Sequence, residues 1–573
     1  MKVVYRGRLS RRVNPAPQDP GDVIELLANN WDDFGYKSTF ITTARIRNEI
    51  VDLGAVKLMF DDVITTSREL DKRIKAGWNG EFPITKANYL SVPTEVTFYD
   101  QIAQRLGGET ALEIARSLRD ASLLVNLEED KSALRMTSDA MFKKSLQRER
   151  GEQKAFLDGW KIFAQQQMAV LDLGFRFKDV FGEISNLDLK FMGDGPLPHD
   201  INVLIGVNGV GKSQILHQIV ADWIKDSGRR SKTGFVEKPN LSQLVVVSYS
   251  PFEDFPVDLE GTAFQDKSIY KYFGFRAPRA TDDGSRQIRL THSAPKRDAA
   301  GSLLACLRDD QRYRTLPGWT KKLNTAELVL RSAFDFDVAA VRIKAGKNSA
   351  YFTDDPLGDD LIIEVAEGDH AGRYLPIASD NVQSINSEAI SAEMLRSRGV
   401  TFFKDGEVVE LSSGQKLFSF IVVNILGAVR RDSLVLIDEP ELFLHPALEI
   451  RFIGMLKQIL GRFNSKALIA THSEVTVREV PSACVHVMER TKDGLVIQTP
   501  PFQTFGGDVQ RISSYVFGDS STAKPFERWI REQLKEHDGA ARLIAALGDD
   551  INEELIIQIR GLDRDMREAG ELW

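Results

Sequence analysis

A chain of 573 residues exceeds one typical domain, so two or three are expected, and 42% apolar with 27% charged residues suits a globular protein with a sizeable core. Two cysteines, Cys306 and Cys484, exclude a disulfide framework and a four-ligand zinc site, which points to a reducing cytoplasm. A net charge of −8 excludes a global basic field for nucleic acid. The opening stretch MKVVYRGRLSRR lacks an apolar signal core, and the apolar run 418–429 is too short to cross a bilayer.

Along the chain, a proline-rich stretch at 14–20 reads as a flexible lead-in. Residues 36–60 read as strand, turn, strand, with the break at 47–49. From 96 to 136 the spacing of Ile102, Leu106, Leu112, Ile114, Leu118 and Leu123 predicts helix. The alternation at 186–191 predicts a half-buried strand, and 201–205 a buried strand running into a glycine-rich turn. Two segments are locally basic. One, 131–154, holds Arg135, Lys143, Lys144, Arg148 and Arg150; the other, 273–297, holds Arg276, Arg279, Arg286, Arg289, Lys296 and Arg297 near Tyr270, Tyr272 and Phe275. Cations with interleaved aromatics suit phosphate contact and base stacking. A charge run is more often a solvated face, and that plainer reading is preferred here.

Gly206-Val-Asn208-Gly209-Val-Gly211-Lys212-Ser213 matches G-x-x-x-x-G-K-[ST], between a strand and the amphipathic stretch beginning at Gln214. Glycines let backbone N–H groups converge on phosphate oxygens, Lys212 is expected to reach the β- and γ-phosphates of ATP, and Ser213 to ligate Mg2+. Farther on, the apolar strand Leu434-Val-Leu-Ile ends in Asp438 and Glu439. Asp438 is expected to hold the Mg2+ shell and Glu439 to polarise the attacking water as general base. His472 follows a third apolar strand, where it can contact the γ-phosphate.

Leu411-Ser412-Ser413-Gly414-Gln415, with a helix following from Phe418, resembles the signature motif of the ABC ATPases, one serine standing for a glycine. The order of the four motifs is also that of the superfamily. The resemblance implies a fold of the α/β class, with a mixed sheet flanked by helices. It also implies a homodimer in which each signature closes on ATP held by the partner's phosphate loop, head to tail. Two departures limit the comparison. The 197 residues from Gln214 to Glu410 are far more than a transporter ATPase carries there, and no glutamine is found for the Q-loop, whose expected place is 244–255.

Long insertions between these motifs resemble the DNA-acting branch: SMC, RecF and the overcoming-lysogenization-defect proteins. DEPELFLHP (438–446), together with NWDDFGYKSTF, LGAVKLMF, SYSPFEDFP, YKYFGFR and FGGDVQRISSYVFGDS, resembles the PtuA ATPase of Septu and retron-associated anti-phage systems. That resemblance implies an HNH nuclease as partner, contact with phage DNA or retron RNA/DNA, no membrane, and an assembly of dimers or higher oligomers. A Toprim nuclease domain needs more than the hundred or so residues after His472. Asp563 and Asp565 sit in a charged helical stretch, and the eight histidines do not cluster with cysteines. Cutting is therefore assigned to a partner. The expected organisation is a β-rich and helical region at 1–165, an ATPase head at 166–505 with a long helical insertion at about 256–400, and helices at 506–573 for partner docking. Two alternatives remain: a RecF-type repair ATPase that binds DNA directly, and a non-hydrolysing scaffold.

Overall fold

The computed structural model describes residues 1–569 except 9–10, 13–20, 30–36, 48, 62, 148–149, 165–171, 194, 226–231, 238, 261, 263–266, 281–285, 314–320, 345–350, 353–360, 493 and 518–524. The lead-in expected at 14–20 lies outside them. The described residues fall into two compact units, Met1–Gly506 and Gly507–Trp573.

At the centre of the first unit is a seven-stranded sheet in the order Tyr270–Gly274, Gln243–Ser248, Ser433–Asp438, Lys466–Thr471, Ile201–Ile205, Val485–Thr491, Gly494–Gln498. The last strand pairs antiparallel and all others parallel. Strands buried on both faces read as unbroken apolar runs, and three of these, LVVVS, SLVLI and KALIA, carry that pattern. Leu204, Leu244, Val246, Leu434, Leu436 and Leu468 pack on one face against Ile215, Leu216, Ile219 and Trp223 of the helix Lys212–Ile224. Ile205, Ser248, Asp438 and Thr471 therefore end at one edge, where parallel sheets bind ligands.

Residues 1–163 build a second seven-stranded sheet. Its hairpin Thr39–Ile46 and Glu49–Phe60 matches the strand, turn, strand reading, and four helices between Thr97 and Ser138 match the helical one. Phe98, Tyr99, Ile102 and Ile114 bury against Tyr5, Ile24 and Phe40 of the sheet. This region is tied to the central sheet by Lys154, whose Nζ lies 3.0 Å from Asp158 and 3.3 Å from Asp432, all three side chains buried.

The insertion is not the helical block expected. It holds the helices Ser293–Arg312, Lys322–Arg331 and Ser387–Glu393, but Tyr270–Gly274 joins the central sheet. A hairpin follows it, and five strands between Val338 and Val408 form an antiparallel sheet of their own. Val338–Ile343 pairs with Val400–Lys404 across some sixty intervening residues, so neither strand announces its partner locally. Past Gly507, the helices Pro525–Glu536, Ala540–Leu547 and Glu553–Glu568 enclose Ile530, Leu534, Leu543, Ile559 and Met566; Asp563 and Asp565 lie on the last of them. Among the described residues no helix is long and apolar enough to cross a membrane.

Candidate functional site

Gly206 leaves the end of its strand where a Cβ would stand 2.3 Å from the Met488 carbonyl oxygen, so only glycine lets the chain turn there. Val207, Asn208 and Gly209 are exposed at the turn. Gly211 then starts the helix at Lys212, whose first N–H groups lack intrahelical partners and face the turn. Lys212 is buried and folds back. Its Nζ donates to the carbonyls of Gly206 (3.0 Å) and Val207 (3.3 Å) and lies 2.8 Å from Nε2 of His472. Burial pushes the ammonium down to about 8, against the opposing pull of Glu439, Glu441 and Asp438. Ser213 donates to Oδ1 of Asp438 at 2.9 Å. Gln214 is exposed on the helix.

Asp438, Glu439 and Glu441 crowd one strand end. Burial, with the neighbouring Glu439 and Glu441 adding to it, pushes the Asp438 carboxyl up to about 7. Glu439 behaves oppositely: the His472 ring, 3.7 Å away, holds its carboxyl below the ordinary range, so it is ionised at neutral pH. Its backbone is left-handed (φ 47°, ψ 55°), with the N–H held by the Ala470 carbonyl at 2.8 Å. Two further residues join the site that sequence reading did not select. Glu441, its carboxyl raised by burial, accepts the backbone N–H of His472 at 2.5 Å and so anchors the chain at that residue. Ser248 lies directly across from Asp438 in register, fully buried, its hydroxyl without a hydrogen-bond partner among the described residues. A polar residue ending an apolar strand beside the acidic one was the available signal for it. The one glutamine of 243–255, Gln243, sits at the far end of that strand and accepts from Ser433, so it is no Q-loop residue. Phe181, under the Arg490 guanidinium at 4.9 Å, flanks the loop through its neighbour Val180; no sequence pattern marked it.

The signature lies elsewhere. Ser412 caps the helix Ser413–Ala428 by accepting from Gln415 N, while Gln415 Oε1 accepts from Ser412 N. Gly414 sits against the Phe443 carbonyl, 3.1 Å from where a Cβ would be. Ser412 and Ser413 are exposed, and no hydrogen bond among the described residues joins 412–415 to Lys212, Ser213, Asp438, Glu439 or His472.

The loop, hydroxyl and carboxylates suit magnesium–ATP. Among the described residues no group of three or more His, Cys, Asp or Glu makes a closed metal cage, and magnesium on a nucleotide takes only one or two protein ligands beside phosphate oxygens.

Residues 201–478 match the family model described as AAA domain, putative AbiEii toxin, Type IV TA system. Over 508 residues the chain is 22% identical to Protein ea59 of Escherichia phage lambda, covering 86% of this chain and 85% of that one. Among solved structures it is similar to the SMC head domain from Thermotoga maritima (12% identity, 58% of this chain and 100% of that one, TM-score 0.26). It is also similar to UvrA2 from Deinococcus radiodurans (13%, 69% and 43%, TM-score 0.25). The stretch from Ile201 to Arg478, with its phosphate loop, acidic strand and histidine at one sheet edge, is an AAA-type P-loop ATPase domain.

Proposed function

We propose that the chain hydrolyses ATP as a two-fold, head-to-tail dimer and that hydrolysis governs a partner nuclease. The observation that carries the first part is the division of the site: loop, acids and histidine meet within one subunit, while the signature is exposed and capped only by itself. In this reading Lys212 leaves the loop carbonyls for the β- and γ-phosphates, and Ser213 with Asp438 holds magnesium, which neutralises charge on the phosphate oxygens. Glu439 takes the proton of the attacking water as its oxygen bonds to the γ-phosphorus and the bond to the β–γ bridging oxygen breaks. His472 moves with the γ-phosphate, and Ser412 and Gly414 of a second copy close the far side.

Supporting the wider reading are the resemblance to the PtuA ATPases, the toxin–antitoxin description of the matching family, and the phage-encoded relative. The helices beyond Gly507 are the segment we assign to docking that partner. The test is Glu439→Gln. This variant is expected to elute as a dimer with ATP retained when magnesium is present; a monomer without nucleotide would sink the proposal.

A further inference from the structure

The helix that starts in the signature turn, Ser413–Ala428, is apolar and buried along most of its length, from Leu417 and Phe418 to Leu426 and Ala428. Two buried polar residues interrupt that run. Ser419 is satisfied inside the helix, where its hydroxyl donates to the Lys416 carbonyl at 2.7 Å. Asn424 reaches outside it. It is fully buried, its Nδ2 donates to the Tyr249 hydroxyl oxygen at 3.2 Å, and its Oδ1 has no hydrogen-bond partner among the described residues. A leucine in its place would bury apolar surface and strand no polar atom, so stability alone does not account for an asparagine.

Tyr249 ties this amide to the nucleotide edge. It is buried and directly follows Ser248, the strand end that stands in register with Asp438. The acidic strand reaches the same helix by a second route. Past Asp438 and Glu439 the chain runs on to Phe443, whose carbonyl lies against Gly414 in the first turn. Phe275 joins the two routes, packing edge-on against Tyr249 at 5.4 Å and against Phe443 at 6.2 Å. Two neighbouring strands that end at the nucleotide site therefore hold the signature helix at two points, Gly414 and Asn424, about 15 Å apart along its axis.

We propose that the Tyr249–Asn424 hydrogen bond relays occupancy of the phosphate loop to the signature turn of the same chain. The Ser213 hydroxyl now bonded to Asp438 must be released when magnesium and phosphate arrive, and Asp438 lies in register with Ser248. Tyr249, the next residue, passes that change to the middle of the helix. A hydrogen bond is directional and moves its partner, whereas an apolar contact at the same place could slide. A packed helix shifts as a body, so the capped turn at its start moves with Asn424. The inference rests on the reading of 411–415 as the surface offered to a second copy, and adds that each copy offers it according to its own nucleotide.

The experiment is hydrogen exchange of the full chain, read by mass spectrometry with and without magnesium–ADP. ADP is the probe because it lacks the γ-phosphate on which a second copy would close. In the wild type, magnesium–ADP is expected to protect 207–213 and to change exchange at 411–420 by about 5-fold or more, the low end of coupling between two sites. Tyr249→Phe alone strands the Asn424 amide and lowers the melting temperature. Tyr249→Phe with Asn424→Leu replaces both partners by apolar groups, so it is expected to melt close to the wild type. That double variant is expected to keep the protection of 207–213 and to lose the change at 411–420. An undiminished change at 411–420 in the double variant would overturn the proposal. So would protection of 207–213 in the wild type with no change at 411–420, and a double variant melting far below wild type would assign the pair to stability instead. Because no hydrolysis is read, a chain that shows the relay but does not turn ATP over would leave this inference standing and remove only the ATPase reading.

Discussion

The phosphate loop and the signature are both short, polar, glycine-containing turns at the start of an apolar helix, yet they are folded to different degrees of completion. Around the loop the important groups are matched within the chain: Lys212 to two carbonyls and His472, Ser213 to Asp438, Glu439 to Ala470. Around the signature, Ser412 and Gln415 satisfy each other, Gln415 Nε2 also reaches the Ala333 carbonyl at 3.5 Å, and Ser413 faces solvent. A turn matched inside its own chain needs a ligand to open it. In the proposed dimer, a second copy covers the exposed turn, and the two turns together make one site.

The sharpest way to break that comparison is complementation. Lys212→Ala and Ser412→Glu are each expected to cut turnover by about 100-fold or more, since in the proposed dimer each residue is assigned to the phosphate charge. Mixed one to one, they should recover about a quarter of wild-type turnover, because half the dimers are mixed and each then holds one intact site. No recovery in a steady-state phosphate assay would rule out a shared site.

A smaller effect separates the loop side by pH. Asp438 carries a folded value of about 7 against 3.8 unfolded, so between those values the folded chain holds a proton that the unfolded chain does not. Its contribution to stability therefore falls as pH rises from about 4 to about 7 and is least above 7. Asp438→Asn should raise the melting temperature at pH 8 and change it little at pH 4. Magnesium–ATP should raise the wild-type melting temperature more at pH 8 than at pH 6, because the carboxylate must be free to receive the cation. Equal shifts at both values would mean that Asp438 does not titrate in the site. Smallest is Ser248→Ala, which leaves the fold nearly untouched and should lower kcat several-fold with the KM for ATP unchanged; an unaltered kcat would make the buried hydroxyl structural.

How much of this was legible in the sequence depended on how local each feature is. Gly206 to Ser213 and Leu434 to Glu439 are contiguous, and their strands are apolar on both faces, so 201–205 and 434–438 could be read directly. The hairpin 39–60 has both partners within one stretch. Ser248 and Glu441 become site residues only through a neighbouring strand's register or a backbone N–H thirty residues away, and a lone serine or a third carboxylate carries no periodicity. The five-stranded sheet of the insertion was missed for the same reason. Strands such as Ile363–Val365 are three residues long, and Val338–Ile343 finds its partner only after the chain has made a helix and two other strands.

Both cysteines are closed off. Cys306 is fully buried, its thiol pushed well above the ordinary range, and Cys484 is buried, raised to about 12, and donates to the Lys190 carbonyl at 3.3 Å. A thiol that cannot ionise does not react with maleimides or iodoacetamides. The native thiols are thus expected to react slowly with such reagents, and one cysteine introduced at exposed Ser413 to be labelled ahead of them. The closure proposed for the dimer could then be followed through that label on adding magnesium–ATP.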